Sequence, residues 1–407
     1  MFRLSVLLFF VTALYAAERP FVPRSSVVSF GPELSRSPWN ALDDAGPNAR
    51  MNQDTFGRRQ NEITMAAWIL DPRVVMGGSN DYRNGDASGG FYVSTDGGSS
   101  FGDVLVTRGP AGVFEAAGDP VAAIDRNGRL YATHISFDRT TDDGGLYSQT
   151  SDDFGQTWSG PLPIAEHIDE PGADFEDKPY TCCDVSPVSP FVNTHYVTWT
   201  RFQAAGGSPI FVSHTTGGEP PYSTPVRVSE SDACQFSCPA TGPNGEVYAV
   251  FIDYWTARIK FDKSLDGGNT GHRCHRLADV GPLGTGQSLR HVPHACLSDD
   301  RLRQYRGPRH GWIYVCWVTF NGTDPDVMIS HSTDGGTTWS AAARVDDGPV
   351  GTWQWWQWLA VHPKAAMSAS AGWTAATTPT AVSICHMPAY PPTALLSPPS
   401  FPLDRAE

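Results

Sequence analysis

Basic residues are scarce in this 407-residue chain: 29 Lys and Arg stand against 43 Asp and Glu, for a formal charge of −14. A surface with that bias repels polyanions, which argues against nucleic acid or an anionic membrane as partner. Long apolar runs are scarce as well. Met1–Ala17 holds one basic residue, Arg3, a short apolar run, and small residues before Glu18. That is the pattern of a secretory signal, and it is too short for a comfortable membrane span. No later segment resembles a span, so a secreted, extracellular protein without membrane insertion is expected. Helix signals are few, whereas Gly (40) and Pro (33) are abundant, as suits many short strands and turns. The last scarcity is local. From Ala365 to Leu403 there is no Asp, Glu, Lys or Arg, and Ala, Ser, Thr and Pro dominate. Residues 364–407 are therefore expected to be a low-complexity, disordered tail, with a truncated or frame-altered end as the sharper reading.

What the chain does have is a recurring turn. Ser151-Asp152-Asp153-Phe154-Gly155-Gln156-Thr157-Trp158 returns as Ser332-Thr333-Asp334-Gly335-Gly336-Thr337-Thr338-Trp339. A variant at 94–101 ends in Phe101, another at 264–271 lacks the final aromatic, and a decayed copy is read from Ser213. Successive starts are 57, 62, 51 and 68 residues apart. A period of that length marks one supersecondary unit repeated as an array. The Asp of each turn can accept from backbone N–H groups, the Gly supplies a positive φ, and the Trp is placed to pack under the hairpin. Asp96, Asp153, Asp266 and Asp334 are thus read as structural. The evenly spaced carboxylates of a calcium loop are missing.

The units share an internal order. In the second, Pro120–Asp125 reads as a strand, Arg126-Asn127-Gly128 as a turn and Leu130–Phe137 as the next strand; the turn motif then links a third strand to a fourth. Four-stranded meanders at this period indicate a β-propeller. The all-β, six-bladed reading gives a signal peptide at 1–17, an N-terminal segment with candidate ring-closing strands at 18–60, and the propeller at 61–363. The sixth unit, from Trp353, is expected to be incomplete.

The repeated Ser-x-Asp-x-Gly-x-Thr-Trp motif resembles the Asp-box, or BNR, repeat of the sialidase (neuraminidase) superfamily, over about residues 61–363. The resemblance implies a six-bladed propeller. In catalytic members it also implies an Arg triad gripping a carboxylate, a Tyr–Glu nucleophile pair, an Asp acid and retaining chemistry. The chain has no Phe/Tyr-Arg-Ile-Pro string; the nearest, Phe21-Val22-Pro23-Arg24, has another order.

Topology locates the candidates. If the Asp-box turns lie at one end of each blade, a site belongs at the other, where first strands enter and second strands exit around the channel. Those positions hold Arg83, Arg201 and Arg290, which could converge on a carboxylate, with Lys178 and Asp253 as further substrate-binding candidates. Asp81, Asp119 or Asp177 is a candidate general acid, and Glu62 with Tyr254 the candidate nucleophile pair. Two function classes fit: a sialidase-like glycoside hydrolase acting on a glycan or glycoprotein, and a non-catalytic propeller binding carbohydrate or protein. No cofactor or metal is expected. The cluster His272, Cys274, His275, His291, His294 and Cys296 reads first as a loop with surface histidines, and less readily as a zinc site. The eight cysteines allow disulfides without revealing a pairing. Asn321-Gly322-Thr323 is a glycosylation sequon. The Trp353, Trp355, Trp356 and Trp358 run offers core packing on one strand face and a sugar platform on the other.

Overall fold

The computed structural model describes residues 49–55, 57–110, 112–270, 278–282, 296–297, 311–320, 325–344 and 355–361, with strands also at 24–28 and 382–387. Among the described residues every regular element is a strand. After β1 (Arg24–Val28) come five four-stranded antiparallel meanders. The first is β2 (Gln60–Ala67), β3 (Val75–Asp81), β4 (Ser88–Ser94) and β5 (Gly102–Leu105). The second is β6 (Ala116–Ile124), β7 (Leu130–Phe137), β8 (Gly144–Ser151) and β9 (Leu162–His167). The third is β10 (Phe175–Cys183), β11 (His195–Phe202), β12 (Ile210–His214) and β13 (Val226–Arg227). The fourth is β14 (Cys234–Thr241), β15 (Val247–Asp253), β16 (Arg258–Ser264) and β17 (Ala278–Pro282). The fifth is β18 (Cys296–Leu297), β19 (Ile313–Phe320), β20 (Pro325–Ser332) and β21 (Ala343–Arg344). A sixth sheet joins both ends of the chain: β23 (Val382–Met387) lies between β1 and β22 (Trp355–Val361).

First strands of successive sheets lie side by side, β2 against β6, β6 against β10, β10 against β14, β14 against β18 and β18 against β22. This is the radial arrangement of a β-propeller. The apolar core is accordingly divided into wedges between sheets. Phe91 and Val93 of the first sheet meet Ile124 and Leu130 of the second. Leu146 and Ile164 meet Trp199 of the third, and Phe261 of the fourth meets Trp317 of the fifth.

The four Asp-box turns that keep their Ser and Asp have one geometry. The Ser hydroxyl donates to the Asp carboxylate and accepts from the second turn N–H, as in Ser332–Asp334 (2.8 Å) and Gly336 N–Ser332 (2.8 Å). The other Asp oxygen accepts from a hydroxyl four residues on at 2.6 Å, from Ser100, Thr157, Thr270 and Thr338 in turn. Glycine is required twice over at Gly336: φ is 89°, and a Cβ would collide with the Phe261 ring of the preceding sheet. Trp339 packs edge-on against that same ring, centroids 5.2 Å apart, so each complete box bolts its sheet to the one before. The decayed copy starts two residues later than the sequence suggests. Ser213 and Ser330 both donate to the carbonyl ten residues on (Ser223 and Ser340), which puts Thr215 in the place of Ser332 and Gly217 in the place of Asp334.

Candidate active site

The inner strands β2, β6, β10 and β14 share one irregularity. Register breaks between Asn61 and Thr64, Gly118 and Val121, Asp177 and Tyr180, and Gln235 and Cys238. In each case two residues oppose one on the partner strand, which is a β-bulge, a device that re-aims a side chain. The first inserted residue is left-handed every time: Glu62 (φ 54°), Asp119 (50°), Lys178 (50°) and Phe236 (58°). Such a φ costs a residue with a Cβ about 1–3 kcal/mol. Recurrence in four sheets marks it as a built feature.

Three of these side chains meet. Lys178 Nζ donates to Glu62 Oε2 (2.8 Å) and Asp119 Oδ1 (3.0 Å), and the Lys178 backbone N–H points to Asp119 Oδ2 (3.3 Å). Asp119 also takes hydrogen bonds from the carboxyls of Glu62 and Asp177. Its own N–H is held by Asn80 Oδ1 at 2.8 Å. The group is reachable from solvent: the side chains of Glu62, Lys178 and Asp119 are 25%, 23% and 12% exposed.

Its electrostatics follow from three carboxyls around one ammonium. Burial, then the Asp119 charge, push Glu62 up to about 7 against the pull of Lys178. Asp177 is raised well above the carboxylate range by burial and by Asp119. Asp119 moves the other way: burial opposes its charge, but Lys178 and the two carboxyl donors outweigh it and hold it ionised. Lys178 stays an ammonium despite burial because Asp119 and Glu62 face it. Below about pH 7 the cluster is therefore Lys178⁺, Asp119⁻ and two proton-bearing carboxyls, Glu62 beginning to ionise at about 7, the pattern of divergent pKa values that marks acid and base roles. Tyr82, partly buried nearby in the chain fold, has its phenol raised by burial and by the charge on Glu62.

The remaining candidates are placed differently. Arg83 is engaged by Asp81 (2.6 Å) and Asp103 (2.7 Å) of its own sheet, and Asp81 is buried beneath it. Arg201 grips Glu176 at 2.5 Å and lies over the Phe211 ring at 4.3 Å. Arg290 lies outside the described residues, as do Asn321, Trp353 and the histidine cluster apart from Cys296. Tyr254 donates to Gln235 Oε1 (3.2 Å) while Glu62 turns to Lys178, so Glu62 is partnered by Lys178 and Asp119 rather than by Tyr254. Asp253 caps its own turn, accepting from Trp255 N (2.9 Å) and the Thr256 hydroxyl (2.8 Å). Among the described residues no group of three metal-ligating side chains is assembled. Cys234 is a buried thiol hydrogen-bonded to the Ser231 carbonyl, with no disulfide.

One hub escaped the sequence reading. Buried Glu176 accepts from Trp199 Nε1 (2.5 Å), from Arg201 and from His167 Nε2 (3.1 Å), tying the end of the second sheet to the third. That bond, working against burial, raises the His167 imidazole. A carboxylate beside Asp177 and Lys178 on an inner strand was the available signal; its partners are 9 to 25 residues away and left none.

Solved structures share this architecture. The leech intramolecular trans-sialidase, complexed with 2,7-anhydro-Neu5Ac, superposes with a TM-score of 0.53 at 11% identity, over 77% of this chain and 65% of that one. The Ruminococcus gnavus intramolecular trans-sialidase gives 0.51 at 13% identity, over 76% and 90%. A Hadza microbial sialidase gives 0.50 at 14% identity, over 80% and 65%. The chain thus spans under two thirds of the length of the leech and Hadza proteins. No family model matches the chain, and no curated protein does. The fold is that of the sialidase-type, Asp-box β-propeller. Within that class, identities this low describe architecture and leave the chemistry to the residues.

Proposed function

We propose that the protein is a secreted glycoside hydrolase working at the channel mouth, with Glu62 as proton donor. The observation that carries this reading is the convergence of Glu62, Asp119 and Lys178 from three sheets at one repeated bulge, with Glu62 raised to about 7. A carboxyl that keeps its proton near neutrality can deliver it to a leaving glycosidic oxygen. Asp119, held ionised, would stabilise the positive charge that builds on the sugar. Lys178 holds Asp119 ionised, and burial together with the Asp119 charge keeps the proton on Glu62 against the pull of Lys178.

A second reading is favoured by one feature. Glu62 and Asp119 are hydrogen-bonded to each other, nearer than two carboxyls that flank a scissile bond, which stand roughly 5 Å or more apart. A non-catalytic propeller binding carbohydrate or protein accommodates that closeness directly. A fluorogenic panel of sialosides and neutral glycosides separates the two. The hydrolase reading expects release that Glu62→Gln lowers at least 100-fold with melting temperature retained. No turnover on any member, together with glycan retention on an array, would assign the binder.

A further inference from the structure

We propose that His167 is a pH-operated clasp on the crossover 168–174, the segment that leads from the second sheet to the third at the channel mouth. The crossover leaves β9 and enters β10 at Phe175, directly ahead of Glu176, Asp177 and Lys178. Residues 169–172 are exposed, and few bonds hold them down. On the outer side the Asp169 N–H donates to Asp143 Oδ1 and the Gly172 N–H to Asp142 Oδ2, both at 2.8 Å. On the inner side the tie is His167. Its Nε2 lies 3.1 Å from Glu176 Oε1 of β10, and its Nδ1 lies 3.0 Å from Glu170 Oε2 of the crossover itself.

Both bonds can exist together only on an imidazolium, because a carboxylate only accepts and a neutral imidazole has a single N–H. Glu176 is fixed in the accepting role, since Trp199 Nε1 and Arg201 donate to it as well. The two acids differ in their access to water: the Glu176 side chain is fully buried, whereas that of Glu170 is 60% exposed. Loss of one proton therefore leaves an unequal choice. The remaining N–H stays on Glu176, which has no water to turn to, and the bare Nδ1 lone pair faces Glu170, which does. Glu170 lets go, and the inner tie of the crossover is undone. Facing the ring are Glu170, Glu176 and Arg201 of β11, whose guanidinium is paired with Glu176 and reaches Asp174 at 4.0 Å. β8 places Gly144 opposite His167 and adds no charge. The Glu176 bond, opposed by burial and helped by Glu170, holds the imidazole above its ordinary 6.5. The clasp is thus complete below about 6.5 and is lost as pH rises through the raised value. It does not depend on the hydrolase reading, and it operates whether the mouth cleaves a glycan or only holds one.

The test uses the full chain labelled with ring-15N histidine and titrated from about pH 5 to about pH 9, with amide hydrogen exchange of residues 168–174 followed in parallel and corrected for its intrinsic pH dependence. The His167 signals are assigned by their loss in His167→Gln and by their movement in Glu170→Ala, an exposed substitution that leaves the core intact. Two protonated ring nitrogens in acid, with Nδ1 losing its proton and Nε2 keeping it at a midpoint above that of free histidine, support the clasp. So does an increase of at least tenfold in exchange of the crossover amides across that midpoint. In Glu170→Ala the midpoint should fall and exchange should be fast at every pH. A neutral imidazole already at pH 5, proton loss from Nε2 instead of Nδ1, or titration with crossover exchange unchanged would each overturn it.

Discussion

The two rims of the propeller use the same side chain in opposite ways. At the Asp-box rim, Asp96, Asp153 and Asp334 are held down to about 2, first by the Ser100, Thr157 and Thr338 hydroxyls. Asp266 is lowered too, by Ser264 and Thr270 working against burial. Every partner lies within four residues. At the bulge rim, Glu62 and Asp177 are pushed up, and their partners come from other sheets, as far as 116 residues along the chain. A carboxylate served by its own turn is cheap to ionise and serves as architecture. One crowded by distant carboxyls keeps its proton and becomes chemistry.

The contrast can be broken most severely at Lys178. Replacement by Met leaves three carboxyls without their ammonium, and stability measured by denaturant should fall by about 3–5 kcal/mol. Glu62→Gln comes next: kcat on a turned-over glycoside should fall at least 100-fold, about 2.7 kcal/mol. Its pH behaviour sharpens the point. The folded pKa of Glu62, about 7, lies above its ordinary value of 4.5. Its proton-bearing form is favoured in the fold, so stability is complete below about 4.5 and is lost as pH rises through 7. The loss amounts to ~3 kcal/mol at 1.4 kcal/mol per unit. Wild type should therefore melt lower at pH 8 than at pH 5, activity should fall tenfold per unit above about 7, and Glu62→Gln should flatten the melting profile. Ser151→Ala, at the other rim, strips one hydrogen-bond donor and one acceptor from a buried turn position. About 1–2 kcal/mol of stability should go, with kcat untouched. The smallest effect belongs to Asp153→Asn. Its depressed carboxylate contributes only above its unfolded value of 3.8 and loses that contribution as pH falls toward 2. The variant and wild type should thus converge in acid.

The same contrast explains what could be read from the chain. The Asp-box turns are local, with every partner inside eight residues, so their repetition disclosed the meander and its period. The inner strands were read too short. Asp119-Pro120 and Lys178-Pro179 look like strand breakers, yet both prolines sit in bulges, where a missing N–H costs the ladder nothing. Glu62, Asp119, Asp177 and Lys178 were read as entries to first strands, whereas the structure has them inside β2, β6 and β10. Their mutual contacts join three sheets and carry no periodic signal. The arginines show the converse limit. Their positions at strand exits were legible, whereas their capture by Asp81, Asp103 and Glu176 was not, since nothing in spacing says which of several acids a guanidinium will choose.

The repeated bulge has a consequence for how this mouth tolerates change. Glu, Asp, Lys and Phe occupy one backbone conformation in four successive sheets, so the position behaves as a socket that accepts unlike side chains without disturbing the ladder around it. Exchanging its occupants should reprogram the mouth while the framework stands. Deleting Ile63, Pro120 or Pro179 would be another matter: alternation would slip by one residue and turn the preceding stretch of strand inside out.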